Sequence, residues 1–355
     1  MNQANKLQPL EKLVIFFALL ILIVSCGLAF VHKFILDDTS STFTVNEEMY
    51  NRFSYDYAYK RNVYGEDQTP NMENSKTASD APTPVSMWGD GFALSYTASS
   101  PSTSAYVSNY TGRIVYSVSN PNDTLTELAA RQGGLPILIS AVDIPAAKEG
   151  VEVILKNEYG EDIKPDFEKN AGLNPCSLND VEGMLTERDG KYFFTRSKSG
   201  YESFVYNDVP LQTRAMALRR NDIQVFFIGN ADKLYDPEKT AQTYQKMADY
   251  SKNNSFLVVG PVFGDKDKID SINKALEKAF GDRFLNLKDT LITTDLYKSL
   301  GYNLTEKDKE AFKAGTLPDS FFMSENYFNE YINNISGYFI SKRLVELGYV
   351  ESELS

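Results

Sequence analysis

From Pro84 onward, apolar runs alternate with amphipathic stretches, and the alternation predicts strands interleaved with helices. "PVSMW", "RIVYSV", "DIQVFFIG", "SFLVVGPV" and "RFLNL" are short and largely apolar. Continuous runs of that kind are what strands covered on both faces look like. Between them, "DTLTELAARQ" reads as a short helix with Asp123 as its N-cap. "DPEKTAQTYQKMADYSK" reads as a longer helix, with Asp236 as cap and Pro237 in the first turn. "DKIDSINKALEKAF" places Ile269, Ile272, Leu276 and Phe280 on one stripe. "EYINNISGYFISKRLVELGY" does the same with Ile332, Ile335, Phe339, Leu344 and Leu347. Strands alternating with helices imply a parallel sheet with helices on both faces, an α/β sandwich.

The alternation is broken between about residues 141 and 216. "GVEVILKN", "VEGMLTERDGKYFFTRS" and "ESFVYND" read as short strands and turns, with a hairpin signal at Asp189-Gly190. This predicts a β-rich insertion in the α/β domain. No internal repeat is present.

Upstream the pattern changes again. Residues 13–31, "LVIFFALLILIVSCGLAFV", carry no charge. A helix of that length spans roughly 28 Å, close to the hydrocarbon thickness of a bilayer. Lys6 and Lys12 precede it, and Asp37 and Asp38 follow. The expected topology is a cytoplasmic N-terminus at 1–12, a single transmembrane anchor at 13–31 and an extracytoplasmic remainder. Two other readings remain open at this segment. One is a lipoprotein signal ending at Cys26; the other is a cleaved signal peptide. Residues 32–83 are polar and read as a tether that holds the 84–355 domain off the membrane. Within it, "MYNRFSYDYAYKRNVYG" contains five tyrosines. The segment suits either a sticky patch or packing against the domain's own surface.

Composition narrows the function. The chain of 355 residues is 42% hydrophobic, enough for one large core. Its net charge of −12 repels phosphate backbones, so no nucleic-acid partner is expected. Cys26 and Cys176 are not expected to pair, which leaves the fold to rest on its core. The one histidine, His32, adjoins the apolar segment, so residues 33–355 contain none. A Ser-His-Asp triad, a Cys-His pair and a histidine-rich zinc site are all beyond this chain alone. No metal or cofactor is expected.

The order of blocks, from "WGDG" through "DIQVFFIGN" to "SENYFN" before the last helix, resembles the SGNH, or GDSL-type, hydrolases. The stretches "AARQGGLP" and "NPCSLNDVEG" add to the likeness. The resemblance covers about residues 84–349, interrupted by the insertion. It implies a flavodoxin-like three-layer α/β/α sandwich and an esterase or acyltransferase ancestry. The resemblance also implies that the catalytic positions are degenerate. Gly89 and Asp90 match the first block, but Gly91 stands where the family has its serine nucleophile. Ser119 falls nearest the oxyanion glycine of the second block, with Pro121 close by. In the third block Gly229 matches, Asn230 follows, and Ala231 replaces the asparagine. In the last block Ser324 and Tyr327 occupy the aspartate and histidine positions, while Phe328 and Asn329 match its tail. A tyrosine has a reference pKa of about 10 and makes a poor base at neutral pH.

No catalytic residue is therefore assigned. Trp88, Asp90, Gly91, Asn230 and Tyr327 are expected to line a vestigial pocket, in which Trp88 and Tyr327 would stack on a sugar ring. Asp90 would alternatively bond local N–H groups. Ser86, Ser95 and Ser324 are the substitute nucleophiles to examine in a rival reading, a working acyl-esterase or acyltransferase. Asp232, Asp236 and Glu325 are the remaining carboxylates near the sheet's carboxyl edge. Arg131 and Arg196 read as salt-bridged or solvated rather than polymer-binding. The expected partners are the membrane, through the N-terminal helix, and a cell-surface glycan or an envelope protein complex. A mainly structural membrane-complex subunit with no pocket of its own is a third possibility, which a filled cavity at the sheet's carboxyl edge would favour over glycan binding.

Overall fold

The structure, a computed structural model, describes residues 82–351 apart from 98, 166 and 168–170. The anchor at 13–31 and nearly all of the tether at 32–83 lie outside the described residues. Among the described residues no helix is long and apolar enough to cross a membrane.

The chain runs β1 (Val85–Gly89), α1 (Thr103–Thr111), β2 (Val115–Ser117) and α2 (Leu125–Gln132). The insertion follows as β3 (Leu138–Ile139), β4 (Val142–Ile144), β5 (Gly150–Val153), β6 (Cys176–Leu178), β7 (Val181–Arg188), β8 (Lys191–Arg196), β9 (Ser203–Val205) and β10 (Val209–Pro210). The α/β alternation then resumes with α3 (Arg214–Arg219), β11 (Ile223–Phe227), α4 (Pro237–Tyr250), β12 (Phe256–Val259), α5 (Lys266–Phe280) and β13 (Phe284–Leu285). Last come α6 (Leu287–Leu291), α7 (Thr294–Ser299), α8 (Glu306–Lys313), the strands β14 (Phe322–Ser324) and β15 (Tyr327–Phe328), and α9 (Glu330–Glu346).

Five strands form one parallel sheet in the order β13-β12-β11-β1-β2. Numbered along the chain, that is the 2-1-3-4-5 order of a doubly wound sheet. Both faces are covered. Met87, Val225, Phe227 and Val259 face one core, completed by Ile332, Ile335, Ile340 and Leu344 of α9. Trp88, Phe226 and Val258 face the other, completed by α2, α4 and α5 through Leu128, Tyr244, Met247, Ile272 and Leu276. Adjacent strand residues thus serve opposite cores, which is why these strands read as unbroken apolar runs.

The helix starts follow capping chemistry. Asp236 accepts from the Lys239 N–H at 2.9 Å, with Pro237 opening α4 as the sequence predicts. At α2 the cap is Thr124, not Asp123. Thr124 and Glu127 form a capping box, and Asp123 is instead buried in an ion pair with Arg131. A two-sided box satisfies more of the open N–H groups of the first turn than a lone Asp would. "RFLNL" is a strand only over Phe284–Leu285, because Asn286 turns to cap α6 through the Asp289 N–H.

The insertion begins slightly earlier than expected, since Leu138–Ile139 pairs with Val209–Pro210 and closes its neck. Its four-stranded sheet has the order β5-β8-β7-β6, and it has its own core, with Val153, Leu155, Leu178, Leu185 and Phe194. The hairpin at Asp189-Gly190 is present, with positive φ at both residues (54° and 74°), as a tight turn of that handedness demands. Arg131 ties the insertion to the sheet by donating to the carbonyls of Val118 (2.8 Å) and Ala171 (2.6 Å). Glu161 adds a second tie by accepting from Lys239 (2.6 Å) and Tyr235 (2.9 Å).

Candidate functional site

β1 delivers Asp90 and Gly91 to the sheet's carboxyl edge, where doubly wound folds place ligands. Asp90 is fully buried. Its Oδ1 accepts from the N–H groups of Phe92 and Gly229, each at 3.1 Å, and its Oδ2 from that of Asn230 at 3.2 Å. Lys233 Nζ lies 3.8 Å from Oδ2. Burial pushes the Asp90 pKa above the ordinary carboxylate value, while Lys233 and the three N–H donors pull against it. This carboxylate is a clamp that joins the end of β1 to the end of β11. Its two oxygens face inward, toward backbone.

Gly91 sits under a hairpin. β14 and β15 pair with Ser324 opposite Tyr327 and turn at Glu325-Asn326. A Cβ added to Gly91 would stand 2.3 Å from the Asn326 carbonyl oxygen and 3.1 Å from the Tyr327 ring. The contact is with backbone, so rotation of a side chain cannot relieve it. Asn230 Nδ2 donates to the Glu325 carbonyl and to Asn326 Oδ1, both at 3.3 Å, and the Asn326 N–H donates to Ser324 Oγ at 3.4 Å. Ser324 and Tyr327 are therefore cross-strand neighbours in a cap, not a base and its orienting acid reaching toward a nucleophile. Tyr327 also meets Tyr96 edge-on at 5.5 Å.

Beneath the hairpin the space is filled with aromatic rings. Phe92 lies 4.8 Å from Phe328, 6.0 Å from Phe322, 6.2 Å from Phe263 and 6.4 Å from Phe227, centroid to centroid. Asp90, Gly91, Asn230 and Tyr327 do come together here, but around packed rings. Trp88 does not join them. It is 1% exposed, beneath Arg131, and its Nε1 donates to Gln224 Oε1 at 2.7 Å inside the second core. Its place inside a strand, whose side chains alternate between faces, turns it away from the edge.

The remaining candidates are also committed elsewhere. Ser119 is buried and its hydroxyl donates to the Met87 carbonyl at 3.0 Å. Ala231 is buried, and its N–H pairs with the Phe263 carbonyl at 2.9 Å. Ser86 is buried and donates to Asp222 Oδ2 at 2.6 Å, with Arg219 on the same oxygen at 3.0 Å. Ser95 lies half-buried in the loop after β1. Asp232 is exposed and paired with Lys268 at 3.2 Å, Asp236 caps α4, and Glu325 is exposed at the hairpin turn. Arg196 is spent on the carbonyls of Pro145, Lys198 and Tyr201. Cys176 is buried and its thiol pKa is pushed up to about 12 by desolvation, so it is inert. Among the described residues no group of three or more His, Cys, Asp or Glu could hold a metal ion.

Two hollows, of ≈ 520 and ≈ 360 Å³, have none of these candidate residues in their walls. The first is beside β13, with Glu277, Asp282, Asp289 and Arg343 in its wall. The second is between α4 and α5. Sequence reasoning missed the aromatic plug and the hairpin that caps it. A signal for the hairpin existed: "FFM" and "YF" flank the polar Ser324-Glu325-Asn326, which is strand, turn and strand at short range. No protein-family model matches the chain, and no curated protein matches it.

Proposed function

We propose that this chain is a membrane-anchored, extracytoplasmic member of the SGNH-hydrolase type that no longer hydrolyses. On this reading it acts by binding or scaffolding at the cell surface, with a glycan or an envelope assembly as its partner; the filled carboxyl edge favours the assembly over a glycan bound at that edge. The observation that carries the reading is Gly91. The place where a nucleophile would project is occupied by the Asn326 carbonyl, 2.3 Å from any Cβ. The absence of histidine from residues 33–355 supports it independently, because no imidazole of this chain is at hand to take a proton from an alcohol. The 2-1-3-4-5 strand order and the position of Gly89-Asp90-Gly91 at the end of the first strand are what such an ancestry would leave. Against the rival reading, a working acyl-esterase, stand the buried hydrogen bond of Ser86 and the hairpin position of Ser324.

The test uses the full chain in detergent, with p-nitrophenyl acetate and acetylated sugars as substrates and a fluorophosphonate probe. No turnover above the blank and no adduct are expected. Turnover abolished by Ser95→Ala or Ser324→Ala, or a covalent acyl group found on either serine, would overturn the reading.

A further inference from the structure

The outward face of the insertion carries aromatic residues of a different kind. In β9, Val205 faces the insertion's core while Phe204 faces out at 43% exposure, and Tyr206, the residue after the strand, is 78% exposed. Their rings lie 6.0 Å apart with 23° between the planes. Tyr201, on the loop leading into β9, is 95% exposed. Glu202 and Asp208 flank this pair in the chain, just outside the strand. Asp143, the cross-strand partner of Phe204, lies beside it. All three acids are exposed.

This face is braced. Arg196 Nε donates to the Lys198 carbonyl at 2.7 Å, and its Nη1 to the carbonyls of Pro145 (2.7 Å) and Tyr201 (2.8 Å). The Gly200 N–H bonds the Ala146 carbonyl at 2.9 Å. Asn179 Nδ2 bonds Ser203 Oγ at 3.0 Å and the Phe204 carbonyl at 3.3 Å. Rings held this way need little further ordering on binding.

We propose that the β4–β9 face binds a glycan carrying free amino groups. Its sugar rings lie on Phe204 and Tyr206, and its ammonium groups meet Asp143, Glu202 and Asp208. The inference rests on the binding reading above and moves the binding surface from the closed carboxyl edge to the insertion. Charge selects the occupant. Aromatic faces attract cations. Asp143, Glu202 and Asp208, set against Lys148 and Lys198 in the adjoining loops, leave this surface net negative, which disfavours an anionic polymer. The buried centre of a protein–protein interface is depleted of charge, unlike this surface.

Titration of the full chain in detergent with a glucosamine oligomer and its N-acetylated counterpart tests it. The glucosamine oligomer should bind, and the N-acetylated one about tenfold more weakly or not at all. The double variant Phe204→Ala/Tyr206→Ala should lose about tenfold in affinity with an unchanged circular-dichroism spectrum. Ile114→Ala, at an exposed aliphatic residue just before β2, should bind as wild type. Four results would each overturn the inference: no binding of either oligomer, equal binding of both, an undiminished double variant, or polylysine competing as well as the amino sugar. None of these bears on ester turnover, which tests the reading above separately.

Discussion

Phenylalanine and tyrosine gather at two places in this molecule and are used in opposite ways. At the sheet's carboxyl edge, Phe92, Phe227, Phe263, Phe322 and Phe328 pack on one another beneath a hairpin. On the insertion, Tyr201, Phe204 and Tyr206 project into solvent from a braced strand and loop. The edge that resembles an active site is a closed core, and the region with no such resemblance presents the open rings. A fold's habitual ligand position shows where a site could be, and only the side chains decide whether one is there.

The comparison can be broken by substitution. The largest effect is expected at Phe328, which is 1% exposed: Phe328→Ala should destabilise the domain by about 3–5 kcal/mol, read from urea unfolding. A loss within experimental error would mean that the plug is not a core. Gly91→Ser comes next, at about 2–3 kcal/mol, because its side chain must displace the Asn326 backbone. If this variant unfolded like the wild type, the hairpin would be a movable lid rather than part of the core. The smallest effect belongs to the insertion. Tyr206→Ala should change stability by no more than about 0.5 kcal/mol, as an exposed ring with no packing role does. A larger loss there would remove the contrast between the two aromatic groups.

Much of this architecture was legible in the sequence for reasons that act locally. The stripe Ile269, Ile272, Leu276 and Phe280 is buried along α5, and Asp236-Pro237 opens α4. The Asp189-Gly190 turn needs only two adjacent residues able to take positive φ. The errors came where side-chain partners outside the immediate backbone competed. Asp123 looks like a helix cap until Arg131 claims it as an ion pair. Trp88 looks like a rim residue until the strand's alternation turns it toward Gln224. In the sequence the candidate site read as a set of replaced functional groups, and its filled volume could not be read there. Ser324 and Tyr327 read as failed catalytic positions, and what they form instead, a hairpin cap, depends on residues 233 positions away in the chain, counting from Gly91 to Ser324.

By itself the sequence determined the alternation of strands and helices, the break for the insertion, and the lack of an imidazole beyond His32. Those properties belong to residue types and short spacings. Tertiary structure alone decided that the carboxyl edge is sealed and that the rings of Phe204 and Tyr206 are open. Burial depends on which distant segment comes to lie over a residue, and neither Gly91 nor Tyr206 carries that information in its neighbours.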